Sequence, residues 1–154
     1  MNVLFVCEDN CALSIMAESI LRAVAPQRFG AYSAGCAARH AIDGEALEFL
    51  AGHRMPIEGL HVKTLQAVRS ASAPTMDFII TLSDAAAKQD FSDWPGHPFV
   101  AHWNVCDEEE GDAQMRDYFW TLMRRIKIFA SLPQGKLNRR VLERRALTLE
   151  PSYL

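Results

Sequence analysis

Cys7, Asn10 and Ser14 follow the apolar run Val3-Leu4-Phe5-Val6 and lead into a segment of helical periodicity. A thiol held where a strand empties into a helix meets unpaired backbone N–H groups and the positive end of the helix dipole. That setting favours a thiolate and a bound oxyanion. The sequence therefore predicts a Cys7 thiol of lowered pKa, a nucleophile at neutral pH. Ser14 is placed to donate to that thiolate and to help it leave, and Asn10 to hold the loop through hydrogen bonds to the backbone. Glu8, Asp9, Asn10, Cys11, Ala12 and Leu13 would form the anion-binding loop, for phosphate, sulfate or another oxyanion. The bland alternative makes Cys7 a small buried hydrophobe and Ser14 a helix cap. The spacing after a strand favours the loop.

Short apolar strands alternating with amphipathic helices position these residues, the pattern of an α/β fold with a parallel sheet. Strands are expected over residues 2–7, 28–33, 77–82 and 99–105, the second ended by Ala34-Gly35. Helical spacing covers 14–24, stopped by Pro26, then 44–53 and a short piece over 64–70. Residues 90–98 read as loop, with Trp94-Pro95-Gly96 as its turn. Met115, Tyr118, Phe119, Leu122, Met123, Ile126, Phe129 and Ala130 recur at three and four residues, which predicts a long helix ended by Pro133. Leu137, Val141, Leu142, Ala146 and Leu147 suggest a last helical tail at about 134–148. Its arginines, Arg139, Arg140, Arg144 and Arg145, read as a solvated face rather than a docking surface.

With 154 residues, 49% of them hydrophobic and 23% charged, the chain fits one domain, 1–154, with a real core. A net charge of -3 gives no reason to expect nucleic-acid binding. No apolar stretch approaches the ~20 residues that span a bilayer, and no signal-peptide pattern is present. Cys7, Cys11, Cys36 and Cys106 lack a disulfide-framework spacing, so a reducing cytoplasm is expected. His40, His53, His61, His97 and His102 show no ligand spacing, and neither a metal nor a cofactor is expected.

These motifs together resemble the low-molecular-weight protein tyrosine phosphatase superfamily over about residues 2–148. The nearest branch is the thioredoxin-coupled arsenate reductase type of proteobacteria. The family's Cys-x-x-Asn-x-x-Arg-Ser and following Ala-Glu stand here as Cys7, Asn10, Leu13, Ser14, Ala17 and Glu18. Ser33-Ala34-Gly35, the segment from Asp77 to Ala86, Trp94-Pro95-Gly96, His102-Trp103 and Ile128-Phe129-Ala130-Ser131-Leu132-Pro133 match further family motifs. The resemblance implies a three-layer α/β/α fold around a four-stranded parallel sheet. It also implies Cys7 as nucleophile, Ser14 as its supporting hydroxyl and Asp107 as general acid. In the reductases two more cysteines relay the oxidation of the first to thioredoxin.

The departures fall on the chemistry. Leu13 replaces the arginine whose planar guanidinium would clamp the oxyanion. Losing such a donor costs about 3–4 kcal/mol, and arginines at phosphoryl groups are worth ~10³–10⁵ in rate. Arg22 lies too far along the helix to substitute, and Glu8 and Asp9 add carboxylates beside the pocket. Ser83 and Phe91 stand at the relay cysteines, and serine forms no disulfide. Cys7 and Cys11 are a candidate redox pair whose closure depends on loop geometry. The acidic run 107–110 reads as a solvated segment, with Cys106 incidental. In His102-Trp103 the tryptophan is expected to pack and the histidine to satisfy a backbone group.

Three functions follow. The first is a protein without the family's chemistry, or strongly impaired, that binds a ligand or partner or senses redox state. The second is a weak cysteine-dependent tyrosine phosphatase, a hydrolase using Cys7 and Asp107. The third is arsenate reduction by another thiol route.

Overall fold

The computed structural model describes residues 1–10, 12–105 and 115–138. Its elements run β1 (Asn2–Cys7), α1 (Leu13–Val24), β2 (Gly30–Gly35), α2 (Gly44–Gly52), α3 (Leu65–Arg69), β3 (Phe78–Thr81), α4 (Asp84–Ala87), β4 (Phe99–His102) and α5 (Met115–Ser131). The strands form one sheet of order β2-β1-β3-β4, and every pairing is parallel.

The central strand is apolar on both faces because helices cover both. Val3, Phe5 and Cys7 point into a core shared with Ile15, Ile20, Leu50, Phe119 and Ile126, from α1, α2 and α5. Leu4 and Val6 point the other way, towards Val68 of α3, Ala86 of α4, and Phe91 and Trp94 of the following loop. The period-two alternation of one short strand thus builds two cores and three layers. In this order the chain winds from β1 out to β2 and back past β1 to β3. The crevice beyond the C-terminal end of β1 is therefore the topological switch point, where ligands of open parallel sheets bind.

Several boundaries differ from the sequence expectation. β2 begins at Gly30 and continues through Gly35, because its register carries Asn2 opposite Gly30 and Cys7 opposite Gly35. Arg28 lies outside the strand and donates to the carbonyls of Ala130 and Leu132 at the end of α5. β4 stops at His102 rather than Val105, since its partner β3 ends opposite it at Thr81. The helix α4 was not anticipated. It is only four residues long and is started by the Ser83 hydroxyl, which accepts the Ala86 N–H at 3.2 Å. The turn at Trp94-Pro95-Gly96 forms as read: Gly96 has φ +82, and a Cβ there would meet the Thr75 methyl at 2.4 Å. Pro133 follows α5, and residues 134–138 are helical, the start of the expected tail; the rest of that tail lies outside the described residues.

Candidate active site

Cys7 ends β1 and is 2% exposed, with its sulfur at the mouth of the switch-point crevice. Asn10 follows in a left-handed conformation, φ 55, which bends the loop back over the sulfur. Asparagine tolerates that conformation better than most residues. Its backbone N–H donates to Cys7 Sγ at 3.2 Å. The fully buried Ser14 brings its hydroxyl to 2.9 Å from the same sulfur. Ser14 is not the helix cap; α1 begins at Leu13 after Ala12, which caps with no side chain. Its hydroxyl is therefore available to the thiol.

Asn10 organises what lies behind the loop. Its amide N–H₂ donates to Ser14 Oγ at 2.8 Å and to Ser33 Oγ at 3.0 Å, and its carbonyl accepts the Lys63 N–H at 2.7 Å. With both amide hydrogens given away, a consistent chain of donors follows: Ser14 O–H to the sulfur, and Ser33 O–H to Glu18 Oε2 at 3.3 Å. Glu18, 3% exposed, is faced by Lys63 at 3.8 Å and Arg22 at 3.4 Å. Burial nonetheless raises its carboxyl pKa, against the lowering charges of Lys63 and Arg22. Arg22 is thereby committed to Glu18 and to the Glu58 carbonyl at 3.0 Å, away from the sulfur.

The turn after β2 holds the loop backbone. The N–H groups of Cys36, Ala37 and Arg39 donate to the carbonyls of Cys7, Glu8 and Asp9 at 3.1, 2.7 and 2.9 Å. This close approach needs Gly35, where a Cβ would lie 2.9 Å from Asn10 N and Asp9 C.

The electrostatics run against a reactive thiolate. Burial pushes the Cys7 thiol up; the Ser14 hydroxyl and the backbone of Ser14 and Asn10 oppose that, and the Asp9 charge adds to it. The net direction is upward, which corrects the expected lowering: desolvation of a nearly enclosed sulfur outweighs the hydrogen bonds of the helix start. Asp9 carries its carboxylate to 3.7 Å from Cys7 Sγ, close enough to receive the thiol proton. Arg39 reaches Asp9 at 3.6 Å, but from the rim, with its side chain 71% exposed. Glu8 is exposed to solvent, so of the two loop acids Asp9 alone faces the sulfur. Leu13 packs against the core shared by α1 and α5, and brings no donor to the loop.

The remaining candidates separate. Ser83 caps α4, and Phe91 is 8% exposed and packs on Trp94 at 5.8 Å between ring centroids. Trp103 packs on Phe5 and Phe129 as expected. Among the described residues His102 is partnered by side chains rather than a backbone group: its Nδ1 meets the Thr81 hydroxyl at 2.8 Å, and its Nε2 lies 3.9 Å from Asp84. Cys11, Cys106, Asp107 and the acidic run lie outside the described residues. No cluster of three or more metal-ligating side chains occurs among the described residues, and none of their helices is long and apolar enough to cross a membrane.

A family model described as low molecular weight phosphotyrosine protein phosphatase matches residues 2–115. No curated relative matches the sequence. Among solved structures, an arsenate reductase from Archaeoglobus fulgidus superposes with TM-score 0.68 at 24% identity, over 84% of this chain and 99% of that one. A low molecular weight protein tyrosine phosphatase from Streptococcus pyogenes gives 0.69 at 15% identity, over 90% and 98%. The thioredoxin-dependent arsenate reductase of Corynebacterium glutamicum gives 0.67 at 21% identity. This chain is covered to 90% there, but spans only 62% of the longer relative. At these identities the likeness establishes the fold.

Proposed function

The chain belongs to the low molecular weight phosphotyrosine protein phosphatase family, and we propose that it keeps the family's loop as a binding or sensing device without the family's turnover. One observation carries this reading: a carboxylate, Asp9, approaches the Cys7 sulfur at 3.7 Å, while the half-buried Leu13 packs against the core. An oxyanion seated on the sulfur would meet a negative charge at close range. That repulsion is about 4 kcal/mol for unit charges near 4 Å at an effective dielectric of about 20. The absent guanidinium removes about 3–4 kcal/mol of stabilisation from the same place. The exposed Arg39 offsets part of the repulsion, screened by solvent.

The relay to thioredoxin lacks its parts as well. Ser83 is used as a helix cap and Phe91 as core, so the route would have to run through other thiols, with Cys11 as the candidate partner of Cys7. A second reading, weak cysteine-dependent phosphatase activity with Asp107 as acid, draws support from the Asn10 N–H and Ser14 hydroxyl that still converge on the sulfur. A structural neighbour described as an arsenate reductase in the phosphate binding state shows that this fold accommodates the anion elsewhere.

Two assays separate these functions. Hydrolysis of an aryl phosphate by the wild-type chain should not exceed that of Cys7→Ala, and arsenate with thioredoxin should leave the free-thiol count unchanged. Turnover that depends on Cys7 establishes the phosphatase reading instead. Arsenate-driven thiol loss establishes the reductase.

A further inference from the structure

On the face of the sheet opposite the Cys7 sulfur, a cavity of about 370 Å³ lies between α3 and the loop after α4. Its size falls in the range of small-molecule sites, about 300–1,000 Å³. Leu65, Phe91 and Trp94 supply its apolar wall, and the last two are core residues, 8% and 2% exposed. Two opposite charges reach it from separate segments: Arg69 at the end of α3 and Asp90 before Phe91.

Arg69 is half-buried and Asp90 is exposed at the cavity rim, and each has a neighbour that orients it. The Arg69 guanidinium carbon lies over the Trp94 ring, 5.4 Å from its centroid, a cation–π contact that leaves N–H groups to donate. Asp90 accepts the Ser92 N–H at 2.9 Å through Oδ1. The Ser92 side chain, that backbone N–H and the Arg69 charge, in that order, lower the carboxyl pKa. A cavity with a cation, an anion and an aromatic wall matches a ligand that carries both charges on a short backbone and an apolar group beside them. A dianion would be opposed by Asp90, and an uncharged ring would leave Arg69 and Asp90 without a ligand partner.

We propose that this cavity binds a free apolar or aromatic α-amino acid, with its carboxylate at Arg69, its ammonium at Asp90 and its side chain against Phe91 and Trp94. The site adjoins the Cys7 loop through Cys36, but its ligand groups, Arg69, Asp90, Phe91 and Trp94, lie outside that loop, so the proposal does not rest on what the loop does. Hydrogen bonds to charged groups are worth enough that losing either end of the zwitterion weakens binding by about tenfold or more.

The full-length protein titrated with L-phenylalanine in a calorimeter tests this. Saturable binding is expected, with 3-phenylpropionate (no ammonium), phenethylamine (no carboxylate) and glycine (no apolar group) each at least about tenfold weaker. Arg69→Met, which keeps an apolar stem on Trp94, and Asp90→Asn should each weaken phenylalanine to a similar extent while melting near the wild-type temperature. Cys36, partly exposed in the cavity wall, gives a second readout, since bound phenylalanine should slow its alkylation. Absence of saturable binding, equal binding of 3-phenylpropionate, or binding untouched by both substitutions overturns the proposal.

Discussion

At the scale of single residues, the site is decided by four residues between the end of β1 and the first turn of α1. Ser14 and Asn10 still serve it, as they would in a working loop. Asp9 and Leu13 do not, because one brings the wrong charge and the other brings none. Burial leaves Cys7 with a raised pKa, and this has two readable consequences. Iodoacetamide should modify Cys7 slowly at pH 7, with a rate still climbing above about pH 9, beyond the ordinary thiol value of ~8.5. A rate that levels off below pH 8 would mean a thiolate at neutral pH. Stability follows the same sign. The native thiol holds its proton to higher pH than the unfolded one, so its contribution is complete below ~8.5 and declines as pH rises through the native value.

At the scale of elements, the loop's shape depends on what packs behind it. Gly35 is the contact point, since a methyl there would collide with loop backbone on both Asp9 and Asn10. Backbone cannot yield as a side-chain end can, so Gly35→Ala should destabilise the protein by about 1–3 kcal/mol. It should also raise the alkylation rate of Cys7 as the loop lifts. Unchanged melting and unchanged reactivity would remove Gly35 from the account. Much of this was legible in the sequence. Strand β1, the helix after it and the Cys7-Asn10-Ser14 spacing all carry strong local patterns. The sequence did not disclose the direction of the Cys7 pKa, because it depends on enclosure by chain far from position 7. It was equally silent on the role of His102, whose partners Thr81 and Asp84 come from the neighbouring strand β3 and from α4 after it. Helix α4 escaped because four residues are too few to show a period; the Ser83-Asp84 start was its one available signal.

At the scale of the whole molecule, the loop sits on a packed scaffold. β1 is buried from Val3 to Cys7 between two cores, and α1 packs on both the sheet and α5. Arg28 ties the approach to β2 to the end of α5 through the carbonyls of Ala130 and Leu132 and the Gln134 side chain at 3.2 Å. Arg28→Met removes the charged donor and leaves those carbonyls to water. Thermal or denaturant unfolding should show a loss of about 1.5–3 kcal/mol with Cys7 reactivity unchanged. A loss of stability accompanied by a freely reactive Cys7 would mean that the loop is coupled to this distant clasp.

The proposed function makes one claim above the others: no oxyanion binds at the Cys7 sulfur. Calorimetric titration of inorganic phosphate at pH 7 addresses it directly, with the wild-type chain beside Leu13→Arg/Asp9→Asn. The wild type should show no saturable binding into the millimolar range. The double variant should bind at least about a hundredfold more tightly, since it regains a charged donor and loses a repulsive charge, each worth more than a factor of ten. Sub-millimolar phosphate binding by the wild type that is lost in Ser14→Ala would contradict the account.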